Sequence, residues 1–229
     1  MSDTDSFIEE VNEEVRRDRL YGYLRRYGWI ALLLVALIVG GAAWSEYSKA
    51  KERAQAEALG DAMLSALSEN ENADRAAALA AIEPGSPASA AVLRLLTAAE
   101  QVQSGDTSGA VETLNDVAVD GALPEIYRQI ARFKSVTLQT DITPVEERRQ
   151  TLEEMAKPGN VMRMLASEQL ALIDISEGDA EAAITRYQAI LADAEVTSDL
   201  QQRALQVIVA LGGEPNLDGV TGLENGATQ

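Results

Sequence analysis

The chain of 229 residues contains no cysteine and no histidine. The first absence rules out disulfides and thiol nucleophiles; the second rules out Ser-His-Asp triads and, with the first, the usual zinc and haem ligands. Aromatic residues are also scarce, with two Trp and two Phe, so no wall of rings is available to stack a sugar beside a carboxylate pair. Nor do β-branched or aromatic residues alternate with polar ones over five or more positions, which leaves no strand signal. Carboxylates are the only plentiful groups with catalytic potential. Glu112, Asp116, Glu146, Glu147, Glu153 and Glu154 fall in stretches that read as solvated helix faces. The expectation is a protein without catalytic residues, cofactor or metal.

The formal net charge is −18. Beyond residue 45 there are 14 Lys and Arg against 30 Asp and Glu, which argues against a nucleic-acid partner.

One stretch is free of charge altogether. Residues 27–45, YGWIALLLVALIVGGAAWS, would cover about 28 Å as a helix, the thickness of a bilayer core. Tyr27 and Trp29 frame it on one side and Trp44 and Tyr47 on the other, where amphipathic rings sit at headgroup level. Arg16, Arg17, Arg19, Arg25 and Arg26 precede it, whereas Lys49, Lys51 and Arg53 are offset by Glu46 and Glu52. The pattern predicts a transmembrane helix over 27–47, a cytoplasmic segment over 1–26 and a C-terminal domain on the far side, in the periplasm. A signal peptide cut near Gly40-Gly41-Ala42 is the alternative, but 26 residues with seven acids before the apolar core suit it poorly. Within 1–26, Ser6-Phe7-Ile8-Glu9 offers a capping box, followed by Ile8, Val11 and Val15 on one helical face with Glu13 placed to pair with Arg17.

Past the span, turn signals at 83–87, 104–106, 120–121, 140–141, 157–160, 177–179 and 196–198 separate short amphipathic helices. Ser86 with Pro87, Thr143 with Pro144, and Ser198 read as helix caps. The helices repeat. Asp106, Asp141 and Asp179 follow breaks at spacings of 35 and 38, and Leu114, Leu152 and Tyr187 recur at 38 and 35. A three-residue insertion near Thr143-Pro144 reconciles the two series. One period earlier stands Leu79, and the companions three residues on are Ile82, Val117, Met155 and Ile190. These eight residues are the predicted repeat core. The first helices give a looser row of Leu64, Leu67, Ala99, Val102, Leu172 and Ile175, broken by Lys134. A period near 34 with two helices per unit is the tetratricopeptide length. The expected fold is therefore all-α, a single N-terminal transmembrane helix followed by a tetratricopeptide-like helical-hairpin solenoid over 48–211, closed by a capping helix from Ser198 and trailed by a disordered tail over 212–229.

The opening DSFIEEVNEEVRRDRL, then YGYLRRYGW, then YSKAKERAQAEALGDAM and the degenerate repeats together resemble the membrane-anchored ancillary subunit of the SecYEG translocon, a bacterial family with a tetratricopeptide-like periplasmic domain. The resemblance implies a non-enzymatic scaffold in the bacterial inner membrane, single-pass, with translocon subunits, a periplasmic chaperone and exporting chains as partners and the lipid bilayer around its one span. It nominates no catalytic residue. A periplasmic adaptor for another envelope-assembly or cell-division complex suits the same features.

Overall fold

The structure, a computed structural model, describes residues 3–216; within them the side chains of residues 3–24, Tyr27, Gly28 and Ala31 lie outside the description. Among the described residues there are nine helices and no strand: α1 (Asp3–Leu67), α2 (Asn72–Ala80), α3 (Pro87–Gln103), α4 (Thr107–Val119), α5 (Glu125–Leu138), α6 (Val145–Met155), α7 (Arg163–Ser176), α8 (Ala180–Leu191) and α9 (Ser198–Ala210). The chain divides into two units, residues 1–58 and 59–229.

The first unit lies within α1. Among the described residues no helix is long and apolar enough to cross a membrane, which corrects the transmembrane helix expected over 27–47. The helix passes both predicted ends of that segment unbroken. Past residue 45 the same helix runs on through the charges of Glu46, Lys49, Lys51, Glu52 and Arg53. Trp29, Trp44 and Tyr47 are exposed, as are Arg25 and Arg26. The side chains of Tyr27, Arg16, Arg17, Arg19, Ile8, Val11, Glu13 and Val15 lie outside the description. Because α1 already begins at Asp3, Ser6 does not start it. Of the predicted tail, residues 217–229 also lie outside the described residues.

The second unit is a row of antiparallel-type hairpins whose turns follow from two residues. α3 ends on Ser104, and Gly105 adopts φ +86°, a left-handed conformation that costs glycine little. The Gly105 N–H then donates to the Val102 carbonyl and the Asp106 N–H to the Gln101 carbonyl, satisfying two orphan acceptors. The same Asp106 opens α4, its carboxylate accepting from the Gly109 N–H at 2.9 Å. Gly178 and Asp179 repeat this between α7 and α8, with φ +83° and an Ala182 N–H bond of 2.9 Å. One aspartate thus terminates one helix and caps the next.

The third aspartate does otherwise. Asp141 caps nothing, since α6 starts behind Pro144, which has no side chain to accept a bond. The Thr143 hydroxyl donates to Gln139 Oε1 instead of capping the helix. The reason is loop length. Six residues, 139–144, join α5 to α6, against three in each Gly–Asp turn, and a longer loop carries Asp141 away from the helix start. Ser86 caps α3 in a reciprocal box with Ser89, whereas Thr197 and not Ser198 caps α9. A further break at residues 68–71 separates α1 from α2; its Ser-Glu-Asn-Glu turn was not among the sequence signals.

Burial places Leu79, Leu114, Leu152 and Tyr187 at 2% exposure or less, together with Val117, Met155 and Ile190. Ile82 stands past the end of α2 and is half-buried. The facing helices bury small residues, Ala98, Ala131, Ala171 and Ala204. A small side chain lets the helix axes approach, and the larger one opposite fills the space between them. Of the predicted row of first-helix residues, Leu67, Val102 and Ile175 are half-buried and pack against the core, and the rest are misplaced. Leu64, Ala99, Lys134 and Leu172 are exposed, on the side of their helices turned from the core.

Candidate functional site

Between α3 and α5 lies a groove of about 230 Å³. Its floor is apolar, made by Leu95, Ala98, Ala99 and Val102 of α3, Leu114 of α4 and Leu138 of α5. Polar groups stand only at its edge: Gln103, Thr137 and Lys134. Thr137 donates to the Lys134 carbonyl, so it is engaged within its own helix. The Lys134 side chain is exposed and forms no ion pair among the described residues. An unpaired ammonium beside an apolar floor, in a chain of net charge −18, favours an apolar partner segment that carries negative charge.

A larger groove of about 410 Å³ lies between α2 and α4 over α3. Of its polar side chains, Asp116 is exposed and the others are engaged within the protein. Thr113 donates to Gln101 at 2.9 Å, and Arg94 is tied to Asp120 at 3.0 Å. Groups paired internally offer little to a ligand, so the smaller groove is the better candidate despite its volume.

Glu112, Asp116, Glu146, Glu147, Glu153 and Glu154 are all exposed and do not converge. Among the described residues no group of three or more acidic side chains is placed to hold a metal.

The buried acids are different ones, Asp174 and Glu168 of α7. Asp174 accepts from Arg149 Nη1 at 2.7 Å and from Arg186 Nε at 2.6 Å, joining α6, α7 and α8. Glu168 receives Arg203 of α9 through two bonds, 2.8 and 2.9 Å. Arg163 holds Asp193 and Glu195. A lone acid inside the apolar LALIDIS stretch was the available sequence signal, because an acid there is buried only with a partner. The hydrogen bond from Arg163 and that from the Glu195 N–H hold the Asp193 carboxyl below its ordinary range. A lowered carboxyl pKa contributes stability above the ordinary carboxylate range, and that contribution is lost as pH falls toward the lowered value. Acid unfolding of Asp193→Asn should therefore show a shallower loss of stability below about pH 4 than the parent, measured by denaturant titration across pH; equal slopes would remove Asp193 from the acid response.

Comparison with known proteins gives one match. A family model described as a tetratricopeptide repeat-like domain covers residues 22–209, well over half of the chain. No curated protein and no solved structure matches.

Proposed function

The chain belongs to the tetratricopeptide repeat-like domain family, and from that membership we propose that it is a non-enzymatic scaffold which holds a partner protein in the α3/α5 groove. The observation that carries this reading is the open apolar floor with Lys134 unpaired at its edge. A stacked-helix surface of this kind works by raising local concentration and needs no reacting group.

The finer form of the proposal is an ancillary role at the SecYEG translocon, linking export to periplasmic chaperones. It is supported by the resemblance of the N-terminal sequence and the repeats, and a location at the periplasmic face of the bacterial inner membrane belongs to the proposal through that resemblance alone.

Photo-crosslinking amino acids at Ala99 and Lys134, with Glu153 as an exposed control, test both levels. Capture at the first two positions and not at the third is the expected result, with Ala99→Arg weakening capture at Lys134 about tenfold, because a long cation then fills the floor. Equal capture at all three positions would remove the groove from the function. Translocon subunits, a membrane-bound periplasmic chaperone or exporting chains among the products would support the finer reading; components of a cell-division or envelope-assembly complex in their place would overturn it.

A further inference from the structure

The hairpin that departs from the Gly–Asp turn also departs from the others in what fills it. Between α5 and α6 lies a cleft of about 270 Å³ lined by a chain of hydrogen bonds that runs from the 139–144 loop through α5 to α4 and leaves α6 untouched: Thr143 donates to Gln139 Oε1 at 2.6 Å, Gln139 Nε2 to the Ser135 hydroxyl at 2.8 Å, and that hydroxyl to Asn115 Oδ1 at 2.6 Å. Arg148 Nε, buried beside it, has no partner. The direct ties from α5 across to α6 and the α6–α7 segment are few among the described residues. Arg132 and Glu154 pair at 2.6 Å, but their side chains are 49% and 46% exposed, a setting in which an ion pair stabilises little. Arg148 to Thr140 and the Val161 N–H to Gln129 are long bonds of 3.3 and 3.4 Å. Of α5, only Val136 and Phe133 join the apolar cluster of α6 and α7.

On either side the packing is apolar and self-contained. Ala91, Ala98, Ala110, Leu114, Val117, Leu123 and Ala131 form one cluster over α3, α4 and α5. The cluster around Tyr187, Leu200 and Ile208 closes α7, α8 and α9, and the arginine ties of Asp174 and Glu168 stay within α6–α9.

We propose that the α5–α6 joint is a hinge built into the solenoid, so that α2–α5 and α6–α9 open as two separate cooperative units. The three extra loop residues remove the double cap present in the two Gly–Asp turns, and the polar cleft leaves Val136 and Phe133 as the apolar contact through which opening on one side could propagate to the other. What crosses the joint is an exposed ion pair, two long hydrogen bonds that water can replace at small net loss, and the contact of Val136 and Phe133.

Native-state hydrogen exchange on the full chain, followed by mass spectrometry at increasing sub-denaturing urea, reads this directly. Amides of α3 and α4 and amides of α7 and α8 should converge on two distinct opening isotherms. Two mild core substitutions assign them. Val117→Ala should accelerate exchange in α3–α5 by about tenfold and leave α7–α9 within twofold of the parent, while Ile208→Val should accelerate α7–α9 about fivefold and leave α3–α4 unchanged. A single isotherm for both halves, or acceleration on both sides of the joint by either substitution, would overturn the proposal.

Discussion

Replacing Tyr187 with alanine is expected to lower the stability of the helical domain by about 3 to 5 kcal/mol, the largest loss from any single truncation in the stack. Tyr187 is 1% exposed and is the largest fully buried side chain among the described residues. It packs in one cluster with Ala171 of α7, Ile190 and Leu191 of α8, and Leu200, Ala204 and Ile208 of α9. Removing the ring leaves a void that three helices border, and a stack cannot collapse on such a void without moving a whole helix. Burial has already pushed the phenol up to about 12, so it stays neutral and its loss exposes no charge. Denaturant unfolding followed by circular dichroism would measure the change; a loss below about 1 kcal/mol would mean that the last hairpin does not depend on this ring.

Asp174→Ala is expected to cost about 3 kcal/mol, through electrostatics in place of volume. The carboxylate is 6% exposed and binds two guanidiniums, Arg149 and Arg186, which are 22% and 35% exposed. Its bond holds the Arg149 pKa above its ordinary value, the mark of a cation stabilised by a desolvated anion. Once the acid is gone, Arg186 loses its carboxylate partner and Arg149 keeps only Glu177, which is 41% exposed. Arg132→Ala supplies the contrast, since its pair with Glu154 is half-exposed on both sides and should change stability by about 0 to 1 kcal/mol. The same unfolding experiment on both variants decides the matter. If Asp174→Ala fell within the range expected of Arg132→Ala, the buried acid would not be what ties α6, α7 and α8 together.

Much of the hairpin domain was written locally. A Gly–Asp pair after an apolar helix dictates the turn because only the first residue reaches positive φ cheaply and only the second offers an acceptor to the next helix, and the spacing of Leu114, Leu152 and Tyr187 marks the face each helix buries. The three-residue insertion was legible as a mismatch between two series of spacings, and it reappears as the loop of residues 139–144. Local pattern did not reveal what the insertion does to Asp141, because capping depends on where a loop of given length delivers its side chain.

The sequence by itself determined the all-helical class, the hairpin period and the lack of histidine and cysteine chemistry, since each depends on residue type and on neighbours within about one turn. Tertiary structure alone decided which face of each first helix is core. The row of Leu64, Ala99, Lys134 and Leu172 looked like a degraded core seam, yet it is solvent-facing while Ala98, Ala131 and Ala171 are buried. In a chain this rich in alanine, helix faces differ little in hydrophobicity, so the choice falls to which face permits the closest approach of a neighbouring helix. The α3/α5 groove was equally out of reach: it joins Leu95, Ala98 and Val102 of α3 to Leu114 of α4 and Leu138 of α5, residues distant in the chain, and no stretch of sequence contains that gap.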